Sequence, residues 1–544
     1  MKNIKLITLF ILSFFLFVNA GKAQEISQNI TYHNVDNEYQ FMTSLDIKDA
    51  SENKKLITSY LWIPPACKKV RGIVILSQNV LEQWLAEHVV FRSACAKSDL
   101  AILWSCPSFF VDGKKSYAER NVTNLQLMLS DLANNSGYDE ISRVPWLPIG
   151  HSGTNNMVRQ LMSNKPGRIL AAITMKGGPG FGDNTTIPVM CSAGEYMEWN
   201  QSKEDLIHPI KGVPNYISVL KERKEKEDPL SYFFDPNTGH FDCGETLTQC
   251  VADFILAASK ARLSDKNDTL LKPIKLDSGW IAGLPLPGAE HIIPKPYKDA
   301  VGEERNCPWY FNKAAAVTAE QMASINWNRK TQIAGFAFPD GKPAGFTKGI
   351  VWPIPFNTDD DGVTFTLNTT QLKAIPDTFM FGGTKIGHGN ASPKVILLCG
   401  NAKPVSGNTF RITPDRAYKN SATYFLVKQE GDTEYRGSVE PGQLVIQPND
   451  NGEPQQLSFD SIPSFKLSNK NISLHAISTS GMPVSFFVKS GPVTLHGNQL
   501  SVNKIPPRTK FPIIVTIVAY QWGRSKSPAI KTAKQLERSF QITN

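Results

Sequence analysis

The chain reads as an α/β domain built on a mostly parallel sheet with flanking helices, followed by β-rich modules that end in a small antiparallel sandwich. Three observations predict this. Short, wholly apolar runs alternate with helical periodicities as far as residue 262. That alternation is the pattern of parallel strands covered on both faces by helices. Near residue 265 the texture changes, Pro and Gly become frequent, and alternating strand patterns replace helical ones.

The first residues set the compartment. Lys2 and Lys5 precede an apolar run from Leu6 to Val18, and small residues lead to Ala23. The run is too short to span a bilayer, so 1–23 reads as a cleavable signal peptide, with no later segment fit to cross a membrane. The expected location is the periplasm or outside the cell. The whole chain carries +9; removing 1–23 takes three lysines and no acid with it, leaving +6. An excess that mild, without a basic block, does not point to nucleic acid. The eight cysteines show no metal-ligand spacing and no dense disulfide framework. No metal or cofactor is expected.

A catalytic domain is expected over 24–265. Polar strands end in Leu56–Ile63. The buried strands then follow as Gly72–Leu76, Leu100–Trp104, Val144–Ile149, Ile169–Thr174, Ile187–Cys191 and Leu230–Phe234. Helices are expected at 81–97, 118–134, from about Asn155, at Tyr216–Lys226 and at 245–262. A β-rich domain is expected over 270–452, with strands such as Gly362–Leu367 and Ala422–Val427. A last sandwich is expected over 456–544, from Val484–Val488, Gln499–Val502 and Pro512–Val518.

Gly150-His151-Ser152-Gly153-Thr154 falls directly after the third buried strand and directly before a helix. A serine on so tight a turn is pushed above the carboxyl end of the sheet, and the helix start offers N–H groups to an oxyanion. Thr154 stands where a glycine is usual. A serine nucleophile needs a base, and only His208 and His240 lie between Ser152 and the end of the α/β region. His240, in Asn237-Thr-Gly-His-Phe-Asp242 after the last buried strand, is preferred. The acid is expected after the preceding strand, in Ala193-Gly-Glu-Tyr-Met-Glu-Trp199, as Glu198 or, second, Glu195. Asp235 and Asp242 are weaker candidates because they lie so close to His240. Gly153 and Asn79 are the expected oxyanion donors, and Trp199 the expected substrate contact. Trp309 and Trp352 are lesser candidates for stacking on sugars. Asn357-Thr-Asp-Asp-Asp-Gly362 reads as a hairpin turn, with calcium as a minor alternative.

With these residues in hand, 56–262 resembles the α/β-hydrolase superfamily, through the elbow Gly-His-Ser-Gly-Thr, the acid loop Gly-Glu-Tyr-Met-Glu and the closing Gly-His-Phe-Asp. The set is similar to secreted bacterial esterase-like hydrolases, and Ser478–Val488 with Ser490-Gly-Pro492 resembles Ig-like modules of bacterial surface proteins. The resemblance implies a serine carboxylic ester hydrolase working through an acyl-enzyme. Only about a dozen residues separate the fourth and fifth buried strands, too few for the cap that many lipases insert there. An open site suits a glycan ester, whether acetyl, feruloyl or uronate methyl. A lipase or peptidase of the same fold is the second enzyme reading. A glycan-binding protein on an inactive hydrolase scaffold is the non-enzyme reading, suggested by Thr154 and Met197.

Overall fold

In the computed structural model, residues 39–112, 116–177, 186–195, 214–265, 267–285, 291–347, 350–375, 382–416, 422–468 and 471–544 are described. The segment 1–23 expected to be a signal peptide and the stretch holding Glu198 and Trp199 lie outside them.

The apolar runs assemble into one eight-stranded sheet. Its strands are β1 (Phe41–Lys48), β2 (Lys54–Trp62), β3 (Gly72–Ser77), β4 (Leu100–Cys106), β5 (Trp146–His151), β6 (Ala172–Met175), β7 (Val189–Gly194) and β8 (Leu230–Asp235). The order across the sheet is β1-β2-β4-β3-β5-β6-β7-β8. β1 pairs antiparallel with β2, and β2 antiparallel with β4, while the pairs from β4 through β8 are parallel. Every residue of β3, β4, β5, β7 and β8 is buried. Helices α1 (Val80–Glu87), α2 (Val89–Lys97), α3 (Ser116–Ser136), α4 (Asn155–Asn164), α5 (Pro214–Lys226) and α6 (Glu245–Arg262) connect them.

This order matters for function. β3 lies between β4 on one side and β5 on the other, so the loops leaving β3 and β5 diverge at a switch point. Crevices at the carboxyl ends of parallel strands open at such points. Asn79 and Ser152 are brought there from the two sides.

Two elements differ from expectation. The helix predicted over 81–97 is two helices, broken at His88, which takes an extended backbone (φ −83°, ψ 129°). The His88 N–H closes α1 on the Leu85 carbonyl, and its Nδ1 accepts the N–H of Val90 at 3.2 Å to start α2. A histidine thus acts as a helix cap without Gly or Pro to announce it. The β-rich region also holds a helix, α7 (Lys313–Ser324), opened by Asn312, whose Oδ1 accepts from the Ala315 N–H at 2.9 Å. It packs against β8.

Beyond the first sheet the chain is strand-rich. A five-stranded sheet and a three-stranded one enclose Phe336, Phe365, Phe410 and Phe425. Toward the C-terminus, Phe465–Lys466, Leu536–Thr543, Ile513–Tyr520 and Ser485–Ser490 form a four-stranded sheet, accompanied by a three-stranded sheet of Asn471–Ser473, Gln499–Val502 and Val493–His496. The Asp-rich segment closes on itself. Asp361 accepts from the N–H groups of Val363 and Thr364 and pairs with Arg411 at 3.0 Å, which is a turn. All eight cysteines are buried free thiols. No helix among the described residues is long and apolar enough to cross a membrane.

Candidate active site

Ser152 sits at φ +53°, a left-handed backbone that costs a side-chain-bearing residue strain. Ser152–Thr154 form a single tight turn between β5 and α4. At Gly150 a side chain would come within 2.7 Å of the Thr154 carbonyl oxygen, so the turn needs glycine there. At Gly153 a side chain would meet no atom within 4 Å, which leaves room beside its N–H.

The replacement of the usual glycine by Thr154 has a structural reason. The Thr154 hydroxyl bonds the Glu82 carboxyl and accepts the His151 N–H at 2.9 Å. Glu82, at zero exposure, also accepts from the N–H groups of Ser77 (2.5 Å) and His151 (3.2 Å). Thr154 therefore ties the elbow to the start of α1 through a buried carboxyl. Burial pushes that carboxyl up to about 8, against the opposing pull of its hydrogen bonds.

That shift has a consequence for stability. The folded chain keeps the Glu82 proton up to about pH 8, whereas an unfolded glutamate releases it near 4.5. Across that window the folded state binds more protons, so stability falls as pH rises and levels off above about 8. Urea unfolding of Glu82→Gln is expected to lose less stability than the wild type between about pH 5 and 8. Equal slopes would remove Glu82 from this role.

His240 stands over Ser152, with Nε2 2.8 Å from the serine Oγ. It arrives on the loop after β8, which is closed by the Gly239 N–H on Asp242 Oδ1 at 2.8 Å. Asp242 is thus engaged in shaping the loop that carries the histidine. Asp235 is engaged elsewhere: its Oδ2 takes the Lys176 ammonium at 2.9 Å and the Gly244 N–H at 2.9 Å. Ser152 and His240 thus lie together in the structure.

Asn79 caps α1 and faces the elbow. Its Nδ2 donates to the His151 carbonyl at 2.8 Å, and its Oδ1 accepts the Val80 N–H at 2.8 Å. His151 lies between the two loops, Nδ1 3.0 Å from Asn79 Oδ1 and Nε2 2.7 Å from the His240 carbonyl oxygen. Burial, and then the neighbouring His240, hold the His151 imidazole well below the ordinary range. Neutral, the ring has one N–H to give, and Nε2 donates it to the His240 carbonyl, tying the elbow to the His240 loop.

Glu195 lies between the β7 and β8 loops. Its Oε2 accepts the Asn237 N–H at 2.6 Å and the Asn326 amide at 2.7 Å, with Arg436 Nη1 at 3.9 Å. It joins the β7 and β8 loops to the β-rich region. Trp309 is core, 1% exposed, its indole N–H on the Leu276 carbonyl. Trp352 is 63% exposed. Sequence reading passed over Glu82, Lys176, Asn326 and Arg436, which are single buried polar residues with no motif around them.

No family model matches the sequence, and none of the curated proteins matches it. Among solved structures it is similar to a thermostable esterase, with 15% identity, TM-score 0.25, 36% of this chain covered and 54% of that one. The chain thus spans about half the length of that esterase. It is also similar to an S-formylglutathione hydrolase from Agrobacterium tumefaciens (12% identity, TM-score 0.28, covering 43% of this chain and 98% of that one). A carboxylesterase from Mesorhizobium loti is a third (15% identity, TM-score 0.26, covering 39% and 98%).

Proposed function

We propose that this chain is an exported serine hydrolase that cleaves carboxylic esters carried by glycans. The observation that carries the reading is the 2.8 Å contact of His240 Nε2 with an Oγ held on a left-handed turn at the carboxyl end of a parallel sheet. In this reading His240 takes the Ser152 proton as the oxygen attacks the ester carbonyl. The N–H groups of Gly153 and Asn79 receive the oxyanion. His240 returns the proton to the departing alcohol, and water then releases the acid from the acyl-enzyme. Glu198 is the acid assigned to orient His240, with Glu195, whose Oε2 is bonded to Asn237 and Asn326, as the alternative. Trp199 is assigned to the substrate, and no cofactor is required.

Export rests on the Lys2-to-Ala23 segment, and the glycan on the absence of room for a cap between β6 and β7. The division into 24–265, 270–452 and an Ig-like 456–544 belongs to the same proposal. The bonded Thr154 favours a working elbow over an inactive scaffold.

The test is turnover of p-nitrophenyl acetate by the mature chain, together with fluorophosphonate labelling mapped by mass spectrometry. An adduct on the Ser152 peptide that blocks turnover is expected. A chain that neither labels nor turns over sinks the hydrolase reading. Release of acetate, ferulate or methanol from esterified polysaccharides tests the substrate. Activity confined to triacylglycerols or peptides would overturn the glycan assignment.

A further inference from the structure

We infer that the β-rich region completes the catalytic unit, with Asn326 as a positioning residue that joins the β7 and β8 loops. The inference rests on the proposed hydrolase function and goes beyond it, because a triad alone requires no C-terminal region.

Asn326, 1% exposed, lies just past the end of α7. Its single amide nitrogen donates twice, to Glu195 Oε2 at 2.7 Å and to Asn237 Oδ1 at 2.8 Å. Glu195 follows β7, and Asn237 lies three residues before His240. The Asn237 N–H also donates to Glu195 Oε2, at 2.6 Å. One side chain from the β-rich region therefore closes a ring through both loops. Asn237 is at φ +64°, so its backbone is strained as well as bonded.

The support behind Asn326 is built, not incidental. The Lys330 N–H donates to the Glu434 carbonyl at 2.7 Å, and the Arg436 N–H to the Lys330 carbonyl at 3.0 Å. Gln332 Nε2 donates to the Arg436 carbonyl at 2.7 Å. These bonds hold 326–332 against 430–437 and bring the fully buried Arg436 guanidinium to 3.9 Å from Glu195. At Gly437 a side chain would come within 2.9 Å of Asn237 Cγ, so the backbone of the region packs directly on the Asn237 side chain. A misplacement of the base by a fraction of an ångström is costly because proton transfer from Ser152 depends on the Nε2–Oγ separation.

The experiment measures kcat, KM, the pH–rate profile and the rate of fluorophosphonate labelling on the full mature chain. Wild type, Asn326→Ala, Asn237→Gly and the double variant are compared. Asn237→Gly keeps the left-handed backbone while removing the Oδ1 acceptor, so it tests the ring even where Asn326→Ala does not fold. Both single variants are expected to lose about 10- to 100-fold in kcat and in labelling rate, with KM within about threefold. The double variant should lose little more than Asn326→Ala alone, since Asn237→Gly breaks the Asn326–Asn237 bond that Asn326→Ala already removes. A structural role alone would lower the melting temperature and leave kcat, labelling rate and the pH profile of the folded fraction unchanged. Folded variants with wild-type kcat and labelling overturn the inference while the hydrolase reading stands. A wild type without turnover or labelling overturns both.

Discussion

Ser152→Ala is expected to fold as the wild type does and to lose about a million-fold in kcat, the scale seen when a serine nucleophile is taken from a triad. His240→Ala should cost a similar factor, and combining the two should add almost nothing. The reason is the single 2.8 Å contact: Oγ is a weak nucleophile until Nε2 takes its proton, so each group is useless without the other. What should remain in the variants is the contribution of the oxyanion donors proposed at the N–H groups of Gly153 and Asn79, about 10³-fold over water. Additive losses would mean that His240 does not act through Ser152. Ser152→Gly offers a further check on the turn. It removes the same oxygen but accepts φ +53° without strain, and it should unfold at a higher urea concentration than Ser152→Ala.

Much of this site was legible because its signals are local. A strand wholly buried on two faces has to be wholly apolar, so Gly72–Leu76 and Leu100–Trp104 declare themselves. The elbow needs small residues around its serine, so Gly150 and Gly153 mark Ser152. His240 as its partner follows from order along the chain. The groups that hold these residues in place gave no such signal. Glu82 reaches Thr154 across 72 residues and Asn326 reaches Glu195 across 131, and neither spacing leaves a period or a motif. Thr154 illustrates the difference. Alone it looks like a flaw in the elbow, and only the position of Glu82 shows it to be a bonded part of it. α7 was hidden for another reason: its Asn312 cap and alanine run are good helix signals, but they stand amid a Pro- and Gly-rich stretch whose texture argued for strands.

Lys176 is the buried group whose loss should cost the most stability. It directly follows β6, with its side chain wholly buried and its backbone at φ +48°. Its ammonium donates to Asp235 Oδ2 at 2.9 Å and to Thr238 Oγ1 at 2.8 Å. Thr238 Oγ1 in turn donates to the Asp235 carbonyl at 2.8 Å, and the Gly244 N–H reaches Asp235 Oδ2 at 2.9 Å. The loop that carries His240 therefore begins and ends on one buried ion pair. Lys176→Met leaves the Asp235 carboxylate in the interior without its countercharge, and a loss of about 3–5 kcal/mol is expected in urea unfolding. Asp235→Asn in the same chain should restore most of it, because the uncompensated charge, not the missing bond, is the larger cost. Recovered stability need not bring recovered turnover: with the ammonium gone, Thr238 loses its bond to the end of β6, and the loop that carries His240 loses that brace. A double variant that refolds yet stays slow would separate the two roles of the pair, whereas a single variant as stable as the wild type would show that the pair does not brace the loop.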